Sequence, residues 1–404
     1  MALHLKQFLE HRAWRATGIY FALCGFYFGT WASFIPYVMQ KHDLDEAELG
    51  LLLLCIPIGT LIANPLSVFI ISKWGAAKST WIFIILMGLT FSIPVVSPNL
   101  YFVALGLILG GASFAVGNIA MNTCASDLID TSGLSLMSAC HGMWSLGAMM
   151  GALFSGPSVI LLHGLEISWI NPHLVYELSF LLLTIALAMA IKMDLLEIHK
   201  NWERNKHPGN AGIFKFKPNR ALWLLITICL CTYLTEGTMA DWSAVYLKDV
   251  AKAPEIIVGW GFGVYAFFMA AGRFAGDIFI SKHGHTKVLR IGGQLVVVGM
   301  AMVIISANPW WVFPGFMLIG LGISVASPIL YGEAAKVPGL PPGAGLATLN
   351  TFAMAAFLGG PVLIGFIAKA LDLRIAFMFV AAAAILWVLQ TYAIGKKKRG
   401  FLKL

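Results

Sequence analysis

Twelve stretches of roughly twenty apolar residues recur along this chain, and that is the length an α-helix needs to cross the hydrocarbon of a bilayer. They fall near 14–40, 46–71, 79–97, 100–126, 134–163 and 174–194. After a polar interval they resume near 219–249, 256–281, 286–306, 309–334, 342–370 and 373–394. Lipid cannot satisfy backbone N–H and C=O groups, so each run is predicted to be a helix or to pack against helices. Of the 404 residues 59% are hydrophobic and 11% charged, which a soluble core of this size would not require. The sequence therefore reads as an all-α membrane protein with twelve transmembrane helices.

The basic residues orient it. With the amino terminus in the cytoplasm, 21 of the 27 Lys and Arg fall on that side, five on the other and Arg273 within a span. The positive-inside rule then places both termini in the cytoplasm. The same rule accounts for the net charge of +8 without a nucleic-acid partner, and Lys396 to Arg399 reads as a stop-transfer anchor. The six cysteines lie within or beside spans without zinc spacing, so small apolar packing is the expectation, with no metal and no cofactor. No sequence of the Walker-A, GxSxG or HExxH type occurs, which argues against ATP-driven transport and against an enzyme.

The two halves share one plan. A shift of 209 carries Gly106 and Gly111 onto Gly315 and Gly320, and Ser72-Lys73-Trp74-Gly75 onto Ser281-Lys282-His283-Gly284. It also carries Gly50 to Gly259 and Gly151 to Gly360. In an apolar chain this reads as a duplicated transporter with its substrate site between the halves. The expected division is an amino-terminal six-helix bundle at 1–194, a cytoplasmic linker at 195–218, and a carboxy-terminal bundle with a basic tail at 219–404. Spans 3, 6, 9 and 12 carry almost no polar group beyond Thr184, Gln294 and Gln390, which makes them scaffold helices. Spans 1, 4, 5, 7, 10 and 11 carry many, which makes them cavity helices.

Between spans 8 and 9 the chain reads Gly272-Arg273-Phe274-Ala275-Gly276-Asp277, followed by Lys282, Gly284, Lys287 and Arg290. This resembles the cytoplasmic signature of the major facilitator superfamily. The resemblance implies two pseudo-symmetric six-helix bundles, alternating access and a monomeric transporter. Its first-half copy is degenerate, with Asn64 and Val68 at the places of Arg273 and Asp277. Within the superfamily FGTWASFIP, HGMWSLG and EGTMADWSAVYL resemble a bacterial inner-membrane branch near the fucose–proton symporters. Pro36 and Asn118 stand where those symporters are associated with acidic residues, so their coupling scheme does not carry across. The signature further implies a gating latch in which Arg273 pairs with Asp277, and Glu333 lies near Lys287 or Arg290. Asp127 near Lys73 and Lys78 is the corresponding weaker latch of the first half.

Candidate site residues follow from polarity in the lining helices. Counting about 1.5 Å per residue from Asn219 puts Glu236 about 25 Å along span 7. An ionised carboxylate buried there costs about 2.5–3.5 kcal/mol, so the protonated acid is favoured unless a cation or donors compensate. That is the property a proton-coupling residue needs; the alternative is a neutral Glu bonded to neighbouring backbone. Asp241, near the other end and within reach of Lys248, is the second coupling candidate. Five residues apart, the two acids point about 140° from one another and form no dyad. Asn118 and Asn122 share a face of span 4, and span 5 returns His141 to a similar depth. The 209 shift takes these three to Ser327, Tyr331 and Asn350. Amide, hydroxyl and imidazole groups in a cavity suit a neutral or polyhydroxylated solute. Trp31, Trp144 and Trp242 either stack on such a ligand or pack.

The preferred reading is a secondary transporter of a small polar organic solute, such as a sugar or related metabolite, working by proton symport. Proton-driven efflux of amphipathic compounds is the alternative. Span 4 lacks an Arg, and Ala152 rather than Pro follows Gly151, unlike the exporters of that kind. A non-transporting receptor or scaffold that kept the fold is the alternative of another class.

Overall fold

A computed structural model describes residues 10–132, 137–164, 171–199, 219–338 and 344–396, and among them every regular element is helical. Among the described residues twelve helices are long and apolar enough to span a membrane. In the amino-terminal half they are α1 (Arg12–Lys41), α2 (Glu46–Trp74), α3 (Ala76–Val96), α4 (Leu100–Ser132), α5 (Met137–His163) and α6 (Pro172–His199). In the carboxy-terminal half they are α7 (Arg220–Val250), α8 (Trp260–His283), α9 (His285–Ile305), α10 (Pro309–Ala335), α11 (Ala344–Ala370) and α12 (Leu373–Lys396). The spans expected from sequence match these within a few residues. Helix α6 runs to His199, five residues into the segment read as linker, and residues 200–218 lie outside the described part of the chain. An even number of spans returns both termini to one side, called here the near face; the opposite side is the far face.

Local chemistry explains the ends and breaks. Asp45 caps α2 in a reciprocal box: its carboxylate accepts from the Glu48 amide at 2.9 Å, and the Glu48 carboxylate accepts from the Asp45 amide at 3.0 Å. Asn219 caps α7 through the Leu222 amide at 3.0 Å. Prolines 36, 65, 94, 157, 314 and 361 lie inside helices, where neighbouring helices carry the packing. Helix α7 ends in a π-helical turn, Tyr246–Val250, and α10 breaks between Ile323 and Ala326.

The duplication reaches atomic detail. Among the described residues four have positive φ, and they form two pairs at the 209 spacing: Gly75 with Gly284, and Asp43 with Lys252. Gly75 and Gly284 turn the chain between α2 and α3 and between α8 and α9 at φ 81° and 75°, a backbone that a side chain would strain. Asn99 and Asn308 cap α4 and α10 through the amides of Tyr101 and Trp310, and the backbone amide of each donates to the hydroxyl of Ser97 or Ser306. Gly111 lies against the Ile56 carbonyl and Gly320 against the Tyr265 carbonyl, again 209 apart, and neither leaves room for a Cβ. Sequence repetition here means repeated contact.

Two further glycines sit where the halves meet. Gly50 of α2 rests on the Pro361 carbonyl of α11, and Gly259 before α8 rests on the Ala152 carbonyl of α5. These contacts exchange under the pseudo-twofold and join the halves toward the far face. Lys248 adds bonds from its ammonium to Gln40 Oε1 at 2.8 Å and to the Pro36 carbonyl at 3.4 Å. Asp45 pairs with Lys369 of α11 at 2.6 Å, and the Lys369 hydrogen bond holds the Asp45 carboxyl below its ordinary range. The depressed carboxyl contributes at neutral pH, and the pair is lost only as pH falls through that lowered range. Lys369 is exposed and Asp45 only half-buried, so the pair alone biases the closed far face weakly. Lys369→Met is expected to raise labelling of a cysteine placed at Ser33 by a few-fold, read with a membrane-impermeant thiol reagent. Unchanged labelling would remove this pair from the closure.

Candidate functional site

Helix α7 brings Glu236 to the meeting of the halves. Tyr233 stands one turn earlier on the same face, and its hydroxyl donates to Tyr331 of α10 at 3.4 Å. The Tyr331 hydroxyl donates in turn to Asn350 Oδ1 of α11 at 3.0 Å, and Ser327 also bonds Tyr233. Tyr233, Tyr331 and Tyr265 of α8 all interact electrostatically with Glu236. Tyr265 is fully buried, and its hydroxyl makes no hydrogen bond to the described protein. A buried unpaired hydroxyl is costly, which makes this a place where a polar partner is favoured.

Arg273 supplies the permanent positive charge. It lies ten residues before the end of α8 at His283, about 15 Å inside the helix from the near face. Its Nη1 donates to Ser145 Oγ of α5 at 3.1 Å, a bond across the two halves. The guanidinium is within Coulombic range of Glu236 and of His141. Just beyond, the Phe274 ring fills the place where a side chain on Gly142 of α5 would lie. The site thus joins an acid, a cation, an imidazole and phenolic hydroxyls on four helices.

In the amino-terminal half Asn122 Nδ2 donates to the Asn118 carbonyl at 2.8 Å and to Asn118 Oδ1 at 3.2 Å. His141 meets the Phe21 ring edge-on at 5.3 Å. Trp144 lies 5.7 Å from Phe28, which lies 6.1 Å from Phe262 of the other half. Asn118, Asn122, His141 and Trp144 are each half-buried, while Asn350 is exposed. Polar groups of α4 bond within one half, and those of α10 and α11 within the other.

Several sequence expectations change. Arg273 lies within α8, in keeping with its count inside a span, and the whole motif Gly272–Asp277 is helical, because α8 carries on to His283 before the chain turns at Gly284. Glu333 pairs with His285 at the start of α9, in place of Lys287 or Arg290. Arg290 is used elsewhere: it stacks over Tyr392 at 3.8 Å and donates to the Thr391 carbonyl of α12 at 3.1 Å. Lys287 is exposed. The side chain of Asp277 lies outside the described part of the structure, so its pairing with Arg273 stays an expectation. In the first half Asp127 is buried near Cys124, while Lys73 is exposed at the end of α2. Lys248 turns to α1, away from Asp241. Trp242 is fully buried and Trp31 is covered with Phe91 at its edge, so both rings pack in this conformation.

Sequence reading passed over Tyr233, Tyr265 and Ser145 as site residues. The spacing of Tyr233 three before Glu236, and of Tyr265 eight before Arg273, was the available signal. It also passed over Glu177 of α6, a carboxyl 3% exposed whose Oε2 meets Ser92 Oγ of α3 at 3.4 Å. The scaffold helices are therefore not uniformly apolar.

The family profile described as Major Facilitator Superfamily matches residues 17–343. An uncharacterised MFS-type transporter of Yersinia pestis is 32% identical over 91% of both chains. An uncharacterised transporter of Sinorhizobium fredii, y4wD, is 30% identical over 92% of this chain and 96% of its own. The membrane protein MosC of Rhizobium meliloti is 26% identical over 92% and 87%. Among solved structures, the nucleoside transporter NupG superposes with a TM-score of 0.70 at 13% identity, covering 94% of this chain and 98% of its own. A bacterial homologue of the human lysosomal transporter Spinster, inward-facing and occupied, gives 0.72 at 11% identity over 94% and 96%. Those two likenesses concern the fold. With the matching profile, the relatives and the two six-helix bundles together, the chain belongs to the major facilitator superfamily of membrane transporters.

Proposed function

We propose that this transporter moves a small polar organic solute by alternating access, in symport with protons bound and released at Glu236. The observation that carries the reading is the placing of Glu236 beside Arg273, Tyr233, Tyr265 and Tyr331 where the halves meet. A membrane carboxyl that faces a cavity and a cation is a site for a transported ion or proton. Phenol, amide and imidazole groups around it offer both donors and acceptors, which fits a hydroxylated solute better than a purely apolar one. Asn118, Asn122, His141, Ser327, Tyr331 and Asn350 are the solute-contact candidates, with Trp144 the tryptophan that keeps open surface. Asp241 is the reserve coupling acid.

The basic residues favour a near face in the cytoplasm of a bacterial inner membrane. On that orientation the far-face contacts at Asp45–Lys369 and Lys248–Gln40 close the periplasmic side. The bond from Arg273 to Ser145 and the Phe274–Gly142 contact are then what must part for the cytoplasmic side to open fully. Asp277, with the His285–Glu333 pair, belongs to the near-face latch.

The test uses purified protein in proteoliposomes with an imposed pH gradient. Sugars, amino acids, nucleosides and cationic dyes are first screened for binding, and the bound compound is followed as flux. Uptake of a polar solute that dissipates the pH gradient is the expected result. Flux that leaves the gradient intact would remove proton coupling; binding without flux would leave a receptor.

A further inference from the structure

Helices α1 and α6 meet along a polar seam that the site between the halves does not use. From the near face, the Tyr20 hydroxyl donates to the Ala188 carbonyl at 2.9 Å, and the Tyr27 hydroxyl to Thr184 Oγ1 at 2.8 Å. Farther on, Thr30 bonds Tyr176 at 3.3 Å, and Asn171 Nδ2 donates to the Tyr37 hydroxyl at 3.3 Å. Glu177 lies in this seam about 8 Å from the start of α6 at Pro172. His173, one turn nearer the far face, stacks on Tyr37 at 3.7 Å.

Hydrogen-bond accounting favours a neutral carboxyl. Ser92 has one hydroxyl proton, and its 2.9 Å bond to the Gly88 carbonyl uses it. Ser92 Oγ also faces Glu177 Oε2 as donor at 3.4 Å, so its one proton serves two acceptors, a competition that a protonated carboxyl relieves by donating in its place. No cation among the described residues balances an ionised Glu177. Its electrostatic neighbours are the phenols of Tyr27 on α1 and Tyr176 on α6. The one charged side chain of α3, Lys78, is at the other end of that helix. Asp127 of α4 and His141 of α5 lie in the near-face half, and His163 lies at the far end of α5. Lys41 acts on His173 and donates to the Val95 carbonyl at 2.7 Å.

The fold itself does not ask for an acid here. At the 209 spacing Glu177 corresponds to Leu386 and Ser92 to Ala301. A buried acid at no structural need, with an imidazole one helical turn nearer the far face, has the form of a proton site. We propose that Glu177 is a second proton-binding site, neutral in this conformation and exchanging its proton with the far-face compartment past His173. When it is neutral, Ser92 and the carboxyl hold α3 to α6. When it ionises, that contact loses its proton and the far-face end of α6 is loosened. This inference is independent of the role assigned to Glu236.

Infrared difference spectra of the full protein in sealed, oriented proteoliposomes test it, with no solute present. Alkalinising only the far-face compartment should remove a carboxylic-acid C=O band. That band should be absent from Glu177→Gln and retained in Glu236→Gln. Ser92→Ala keeps the acid but removes its acceptor, so the same band should move to higher frequency. An unchanged spectrum in a folded Glu177→Gln overturns the proposal; if that variant does not fold, an unshifted band in Ser92→Ala does so. A band that responds to near-face pH overturns the access route. Loss of the band in Glu236→Gln with retention in Glu177→Gln would return the only proton to the central site.

Discussion

Glu236→Gln is expected to abolish accumulation driven by a pH gradient while leaving counterflow exchange in place. The amide has the shape of the protonated acid and cannot release a proton, so the cycle lacks its coupled step. A gradient of about one pH unit is worth about 1.4 kcal/mol, enough to drive roughly tenfold accumulation at one proton per solute. The variant should fall to simple equilibration. Exchange survives because the neutral form still alternates with solute bound. Reciprocity adds a second readout: solute should bind the wild type more tightly as proton occupancy rises, and the variant should lose that dependence. The relevant neighbours are the Arg273 guanidinium and the phenols of Tyr233, Tyr265 and Tyr331, all within electrostatic range of Glu236. Continued uphill transport by Glu236→Gln would pass the role to Asp241.

Gly29→Val should be the most destabilising single substitution at the contact between α1 and α5. A Cβ on Gly29 would run into the Ala148 carbonyl, and a Cβ on Gly151 into the Phe26 carbonyl one turn along. Backbone carbonyls cannot swing aside as side chains do, so the helices themselves must separate. Overpacking costs about 1–3 kcal/mol where side chains can adjust, and this site belongs at or above the top of that range. Thermal unfolding in detergent should show a clear fall in Tm. Gly359→Ala in α11 is the control, since nothing lies within 4 Å of its added Cβ. That change should be neutral or stabilising, because Ala is the better helix former by roughly 1 kcal/mol. Equal melting of Gly29→Val and the wild type would mean that α1 and α5 do not meet as described.

Sequence alone determined the number of spans, their near boundaries and the two-halves plan. Lipid forces backbone groups to pair within each apolar run, so length and hydrophobicity are enough to count helices. The glycine spacing foretold repeated contacts because close helix approach tolerates no side chain, wherever in the half it occurs. Repetition in backbone geometry was hidden where the residues differ. Asp43 and Lys252 share a positive φ because the same turn is imposed on both halves, whatever side chain stands there.

Tertiary structure alone decided partners. Sequence pairs Arg273 with Asp277, four residues on, because its neighbours are the family's gating residues. Arg273 reaches Ser145 because α8 continues past it and packs along α5, a fact no local pattern contains. Glu333 finds His285, and Arg290 finds Thr391, for the same reason: long charged side chains choose among several helices after those helices have packed. Between stacking and packing, burial favours packing for Trp31 and Trp242, a choice that aromatic content cannot make because it does not tell a cavity wall from a core. Glu177 was overlooked because its span is otherwise apolar, and only the approach of α1 and α3 gives a lone carboxyl its setting. Helices follow from the solvent acting on each segment separately; a site requires knowing which faces of separate segments come together.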